Sequence, residues 1–132
     1  FVGEMFHAAL LGEMESASIF VSPALYEPFG LSVLEAASAG CALLLSDIPA
    51  FRELWDGAAV FFDPRDPDQL VVSLRSLCRD EVHRVRLQRA AAKRAQHYPL
   101  SNTVDAYRSL YASLLTGTAG RSTGAQSRGM LA

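Results

Sequence analysis

Three short apolar runs, separated by segments with the pattern of helices, most constrain the fold of this chain. The runs cover residues 18–22, 41–45 and 59–62, and each is too short for a helix and rich in strand-forming residues. Strands that are apolar throughout are typical of parallel sheets with helices on both faces. Strands and helices alternate along the chain, which predicts right-handed crossover connections. We therefore expect an α/β fold, a parallel sheet with flanking helices.

The segments between the runs carry the signals of helices. Gly40 follows one of them and is the residue type that most easily forms a left-handed C-terminal cap. Asp66, Pro67 and Gln69 match the N-cap, the first position and the third position of another helix. The predicted helices cover residues 4–17, 30–39, 49–55, 81–97 and 101–115, with one more that begins at Asp66. Their predicted apolar faces are Phe6, Leu10 and Met14; Leu70, Val71, Leu74 and Leu77; and Val104, Tyr107, Tyr111 and Leu114.

The length of 132 residues predicts one folded domain. We expect a partial Rossmann-like domain over residues 1–115. Residues 116–132 are predicted to be a disordered tail, because small and polar residues dominate there and leave little apolar surface to bury. Phe1, Val2 and Gly3 look like the end of a strand whose beginning is missing, so we expect the domain to be truncated on its N-terminal side.

Charge and hydropathy argue against several classes of partner. The formal net charge of −2 gives no overall attraction to nucleic acid or to an anionic membrane. No apolar stretch reaches the roughly 18 residues that a transmembrane helix needs, and the first residues lack the features of a signal peptide. Cys41 and Cys78 match no metal-ligand spacing. We therefore expect free thiols, no bound metal and a cytoplasmic location.

The loop after the first predicted strand is the expected ligand site, because open parallel sheets bind ligands beyond the carboxyl ends of their strands. Gly30 allows close backbone approach where the next helix begins, and the amides of Phe29, Gly30 and Leu31 can bind a diphosphate without a basic residue. Glu27 precedes this helix, and Glu35 lies roughly 7 Å along its axis. Carboxylates accept hydrogen bonds from sugar hydroxyls. The arrangement suits a nucleotide sugar, which has a diphosphate between two polyols.

This loop also carries a resemblance to a known family. The run Tyr26-Glu27-Pro28-Phe29-Gly30-Leu31, together with Glu35, resembles the Glu, seven residues, Glu motif of the retaining family 4 glycosyltransferases, which have the GT-B fold. The resemblance covers about residues 1–115 and continues through Ala36-Ala37-Ser38-Ala39-Gly40, Ser46-Asp47, Arg52-Glu53-Leu54, Gly57-Ala58-Ala59 and Phe62-Asp63-Pro64. It implies that the chain is the C-terminal, donor-binding half of a GT-B protein.

The resemblance further implies a role for each residue of the motif. Glu27, Phe29 and Gly30 are expected to bind the donor sugar. Gly30 and Leu31 are expected to bind its phosphates, and Glu35 its ribose. The implied reaction transfers a hexose, with retention of configuration and without a metal, from a nucleotide-diphosphate sugar to an acceptor that the sequence does not identify.

Family members also need parts that this chain does not contain. These are an N-terminal domain that binds the acceptor, and an Arg and a Lys that neutralise the departing diphosphate. Without them the developing negative charge is poorly stabilised, so we expect no catalytic residue here and no activity from the chain alone. Two strands are also missing, which predicts that the 18–22 strand has a flat apolar edge through which the chain self-associates.

Other interpretations stay open. A non-catalytic module that binds a nucleotide sugar or another subunit could keep the same fold. Asp47, at the end of a strand, could be a phosphoacceptor as in receiver domains, although no acidic pair follows an earlier strand. A cluster of basic residues is predicted to be a solvated helix face rather than a nucleic-acid surface, because no aromatic residues are interleaved. The cluster consists of Arg84, Arg86, Arg89, Lys93 and Arg94.

Overall fold

The structure, a computed structural model, describes residues 3–115, except for the side chains of residues 100–103 and 115. Its sheet has three parallel strands in the order β1-β2-β3. Ile19 pairs with Ala42, and Leu43 pairs with Ala59. The strands are β1 (Ile19–Ser22), β2 (Ala42–Ser46) and β3 (Ala59–Phe62). The predicted α/β fold with a parallel sheet is confirmed.

Six helices occupy the described part of the chain, residues 3–115. They are α1 (His7–Ser16), α2 (Leu31–Ser38), α3 (Pro49–Trp55), α4 (Pro67–Arg79), α5 (Glu81–Ala95) and α6 (Leu100–Leu115). The described residues fall into two compact units, divided between residues 97 and 98, and α6 belongs to the second. The predicted signals at helix ends are present: Gly40 has a φ of 92°, and Asp66 accepts a hydrogen bond from the amide of Gln69.

The core of the first unit lies on both sides of β2, all of whose residues are fully buried. Leu43 and Leu45 contribute to a cluster that includes Phe51. Leu44, which points to the opposite face, packs in a second cluster with Leu77. Helices cover both faces, and this is why β2 is an unbroken apolar run rather than an alternating one.

Three predicted apolar faces differ from the structure. Phe6 is 90% exposed because α1 begins one residue after it. Leu10 is also exposed, whereas Met14 is buried as predicted and Leu11 packs against the core beside it. On α4, Val71 is exposed because Leu70, Leu74 and Leu77, at spacings of four and three, already fill the face toward the sheet. The predicted apolar stripe of α6 is exposed at all four positions, namely Val104, Tyr107, Tyr111 and Leu114.

Strand β1 lies at an edge of the sheet. Among residues 3–115 it pairs with no strand other than β2, and its four residues are only partly buried. The predicted strand end at residues 1 and 2 and the predicted disordered tail 116–132 lie outside the described residues. No helix within the described part of the chain is both long enough and apolar enough to cross a bilayer.

Candidate functional site

The carboxyl ends of the three parallel strands lie at one edge of the sheet, as the predicted ligand site requires. The hydroxyl of Ser46, at the end of β2, donates to the carbonyl oxygen of Ser22, at the end of β1, over 3.2 Å. This bond ties the two strand ends together. The loops that follow the strands bring Glu27, Asp47 and Asp63 to this edge.

Gly30 is the N-cap residue of α2 and adopts a left-handed conformation, with φ 81° and ψ 64°. N-cap residues usually have an extended backbone and a side chain that caps the helix, and Gly30 has neither. A Cβ added at this position would lie 2.9 Å from Cε1 of Phe51 and 3.2 Å from Cγ2 of Val33. Both the backbone conformation and the space available therefore require glycine.

Glu27 covers the start of α2. Its Oε1 accepts a hydrogen bond from the amide of Gly30 over 3.0 Å and a longer one, 3.4 Å, from the amide of Phe29. The sequence predicts that these amides are open to a diphosphate. In the structure a carboxylate from the same loop binds them, as negative groups do at helix N-termini. A bound phosphate would have to replace that carboxylate at these two amides.

Glu35 is the fifth residue of α2, at the position along the helix that the sequence predicted. Its side chain is 34% exposed, and its Oε1 lies 3.9 Å from Nε2 of His7, the first residue of α1. Glu35 also lines a cavity of about 340 Å³ between α1 and α2. The other lining residues are Leu11, Glu15, Leu34, Ser38 and Ala39.

A second cavity, of about 390 Å³, lies at the carboxyl edge of the sheet. Its lining residues are Leu25, Asp47, Ile48, Asp63, Pro64 and Arg65. Glu27 and Glu35 do not line it. The motif residues thus extend from the loop before α2 to its fifth residue, Glu35, whereas the cavity lies beyond β2 and β3.

Asp47, in that cavity, is held by Arg52 of α3. Nε and Nη2 of Arg52 each donate to a different carboxylate oxygen of Asp47 over 2.6 Å. Nη1 of Arg52 donates to Asp56 over 3.4 Å, and the guanidinium lies 4.0 Å from the ring centre of Phe61. The hydrogen bonds from Arg52 lower the pKa of Asp47, and Asp47 in turn raises the pKa of Arg52.

Two members of the predicted basic face of α5 make structural contacts instead of lying free in solvent. Nη1 of Arg84 donates to the carbonyl oxygens of Leu77 and Cys78 in the last turn of α4. Arg94 does the same at the end of α3. Positive groups at helix C-termini satisfy carbonyl oxygens that have no partner within the helix. The prediction of a wholly solvated face was therefore wrong for Arg84 and Arg94.

Three contacts at the site were not predicted from the sequence. They are those of Phe51 with Gly30, of Arg52 with Asp47, and of His7 with Glu35. Each depends on how two segments of the chain meet, and no sequence motif indicates it. Pro49 in the first turn of α3 indicates where this helix begins but not where Phe51 points. Within residues 3–115, no three His, Cys, Asp or Glu side chains converge to form a metal site. Metal independence stays a prediction.

Comparison with known proteins places this geometry in context. Residues 1–94 match the protein family described as glycosyl transferases group 1. The glycogen synthase of Mycobacterium tuberculosis is 40% identical over 96 residues, which are 71% of this chain and 23% of that protein. The phosphatidyl-myo-inositol mannosyltransferase of Mycobacterium leprae is 31% identical over 119 residues, 88% of this chain and 32% of that protein. The chain thus spans about a quarter to a third of the length of these relatives.

A solved structure also matches the fold. Sucrose-phosphate synthase from Thermosynechococcus elongatus superposes with a TM-score of 0.82 and 23% sequence identity. The match covers 89% of this chain and 30% of that chain. It confirms the GT-B fold that the sequence predicted.

Proposed function

Because the chain belongs to the glycosyl transferases group 1 family, we propose that it is the nucleotide-sugar-binding part of a glycosyltransferase. One observation supports this most directly. Helix α2 begins after a left-handed glycine beyond the carboxyl end of β1, with Glu27 bound to the amides of Phe29 and Gly30 and with Glu35 at the fifth helical position. Amides that bind an anion beside carboxylates that accept hydroxyls match the chemistry of a nucleotide sugar. The proposed reaction transfers a hexose with retention to an acceptor that is not identified.

Each motif residue has a proposed role. The amides of Gly30 and Leu31 bind the phosphates, because the first amides of a helix have no acceptor within it. Glu35 binds the ribose hydroxyls, and its partly exposed side chain beside a cavity is suited to this. Glu27 binds hydroxyls of the donor sugar, with Phe29 and Gly30 alongside.

The position of Glu27 gives this proposal a chemical rationale. Oε1 of Glu27 binds the amides of both Phe29 and Gly30 in the structure. A free diphosphate therefore has to compete with this carboxylate for the two amides. A sugar hydroxyl offers Glu27 a new donor when the phosphate takes those amides. Glu27 therefore favours a diphosphate that carries a sugar over one that does not.

Catalysis requires further groups. Negative charge develops on the departing diphosphate, and amide dipoles alone stabilise only part of it. Within the described residues, Arg52, Arg84 and Arg94 are each engaged by carboxylate or carbonyl oxygens. We propose that the acceptor-binding domain and the basic residues at the leaving group lie outside these 132 residues, and that the chain alone is inactive.

The edge of the sheet supports one further proposal about partners. The outer side of β1 presents backbone donors and acceptors that no described strand pairs with. Such an edge pairs with another strand when one is available. We propose that the chain self-associates through β1, and sedimentation over a range of concentrations tests this. A monomer at every concentration contradicts it.

Ligand binding tests the main proposal. We expect UDP, GDP or ADP sugars to raise the melting temperature, because a ligand at 100 times its Kd stabilises a protein by about 2.7 kcal/mol. Glu35→Gln keeps the shape of the side chain and removes its charge, so it should weaken binding. Glu13→Gln, at an exposed position of α1, is the matched control and should bind like the wild type. The proposal fails if no nucleotide sugar binds, or if both variants bind equally well.

Activity gives a second test. The chain should transfer no sugar from any nucleotide donor above the level of a Glu35→Ala control. Transfer above that level contradicts the proposed inactivity. If a longer protein that contains an acceptor domain and the basic pair binds the donor but transfers nothing, a non-catalytic binding module is favoured instead.

A further inference from the structure

Helix α3 is held by two arginine contacts. From the middle of the helix, Arg52 makes the bidentate pair with Asp47, which follows β2. At the C-terminal end of the helix, Arg94 of α5 donates to the carbonyl oxygens of Leu54 and Asp56 over 2.8 and 3.0 Å. A helix that is fixed at two points presents its buried side chains at a defined place.

One of those side chains is Phe51, which is fully buried. Its Cε1 lies 2.9 Å from the position of a Cβ at Gly30, so the ring edge contacts the backbone that opens α2. Glycine adopts left-handed and right-handed conformations about equally well. Its own conformational preference therefore does not select φ 81°, and neighbouring groups must do so.

Three side chains lie nearest to the position of a Cβ at Gly30. They belong to Phe51, Val33 and Glu27, and no side chain caps α2 through Gly30 itself. Val33 belongs to α2, and Glu27 belongs to the same loop, so both move with the turn. Phe51 alone among the three comes from another element, and it is rigid because it is fully buried and an aromatic side chain has only two rotatable bonds.

We propose that Phe51 is a positioning residue for the donor site. By packing against Gly30 it fixes the direction of the amides that Glu27 now binds and that a phosphate is proposed to bind. This inference rests on the proposed function, and it assigns to α3 a part in ligand binding that involves no contact with the ligand.

Phe51→Leu in the full 132-residue chain tests the inference, with Phe51→Met as a second variant if the first does not fold. The matched control is Leu77→Ala on α4, which is equally buried but packs in the other core cluster. All variants are assayed under conditions where circular dichroism shows them fully folded. The probes are UDP, GDP and ADP and their glucose and mannose derivatives, with Kd measured by calorimetry.

We expect Phe51→Leu to raise the Kd of each probe that binds the wild type by about tenfold, equivalent to about 1.4 kcal/mol. Leu77→Ala should leave Kd unchanged although it lowers stability. The amide resonance of Gly30 in ¹H–¹⁵N spectra should shift in Phe51→Leu and not in the control. An unchanged Kd or an unchanged Gly30 resonance in Phe51→Leu overturns the inference and leaves the proposed function intact. If the wild type binds none of the probes, both the proposed function and the inference are rejected.

A second measurement separates positioning from general core packing. Gly30→Ala should shift the urea midpoint less in the Phe51→Leu background than in the wild type, because the smaller side chain leaves room for the new Cβ. The shift should not vanish, since φ 81° remains unfavourable for alanine. Equal shifts in both backgrounds show that Phe51 and Gly30 are not coupled and overturn the inference.

Discussion

Removal of the Arg94 side chain should separate α3 from α5 at a definite energetic cost. Nη1 and Nη2 of Arg94 donate to the carbonyl oxygens of Leu54 and Asp56. Hydrogen bonds with a charged donor contribute about 1.5–3 kcal/mol each when well shielded. Arg94 is only partly buried, so water can replace part of each bond. We therefore expect Arg94→Ala to lower the free energy of unfolding by about 2 kcal/mol in total.

Urea unfolding followed by the fluorescence of the single tryptophan, Trp55, measures this loss directly at the end of α3. For a urea m-value of about 2 kcal/mol/M, the midpoint should fall by about 1 M. Arg94→Lys keeps the charge but loses the fork of two donors, so its loss should be smaller. Arg86→Ala, at an exposed position of the same helix, is the control and should change stability by less than about 0.5 kcal/mol. If Arg94→Ala and Arg86→Ala lower the free energy of unfolding equally, the contacts of Arg94 with α3 do not stabilise the fold.

Three further predictions follow from local contacts. Asp66→Ala removes the N-cap of α4 and should lower the free energy of unfolding by about 1 kcal/mol, whereas Asp66→Asn should lower it by less; equal melting temperatures for all three proteins contradict this. Arg52 lowers the pKa of Asp47 in the folded chain, so this pair stabilises the fold above the ordinary aspartate pKa, and the stabilisation is lost as pH falls through the lowered pKa. Arg52→Gln should therefore make the free energy of unfolding depend less steeply on pH in this acidic range. An unchanged pH dependence contradicts the contribution of the pair. Burial raises the pKa of the Cys41 thiol, so iodoacetamide should modify exposed Cys78 first in the folded chain, with both modified alike in denaturant; mass spectrometry that finds Cys41 modified first contradicts the burial.

The strands and the helix ends could be predicted from the sequence because their causes are local. The fully buried β2 appears in the sequence as an unbroken apolar run. Gly40 and Asp66 terminate and start helices through interactions with their own neighbours in the chain. Gly30 could be predicted only in part. A glycine before a helix indicates that the backbone is free to adopt an unusual conformation, but it does not show that φ is positive.

What the sequence could not predict depends on how helices meet. Val71 and Leu70 are adjacent in the chain, and only the direction from which the sheet approaches α4 decides which is covered. Arg94 looks like any other surface cation of α5 until α3 places its last carbonyl oxygens within reach. Phe51 likewise looks like an ordinary core residue. A predicted hydrophobic period fixes a face only to within about one residue on a helix with 3.6 residues per turn.

The contacts of α3 connect residues that could be predicted from the sequence with residues that could not. Gly30 and Glu27 belong to a motif that local chemistry explains. We infer that the direction of the Gly30 amide depends on Phe51, whose helix is held by the local pair of Arg52 with Asp47 and by the long-range contact of Arg94. A site built this way needs no positive side chain to bind a phosphate, because the backbone provides the donors and the neighbouring helix provides their direction. Under this proposal, Arg52 and Arg94 act on the ligand through the fold rather than by contact. For this reason, we expect substitutions on α3 to change donor affinity without changing which hydroxyls the two glutamates recognise.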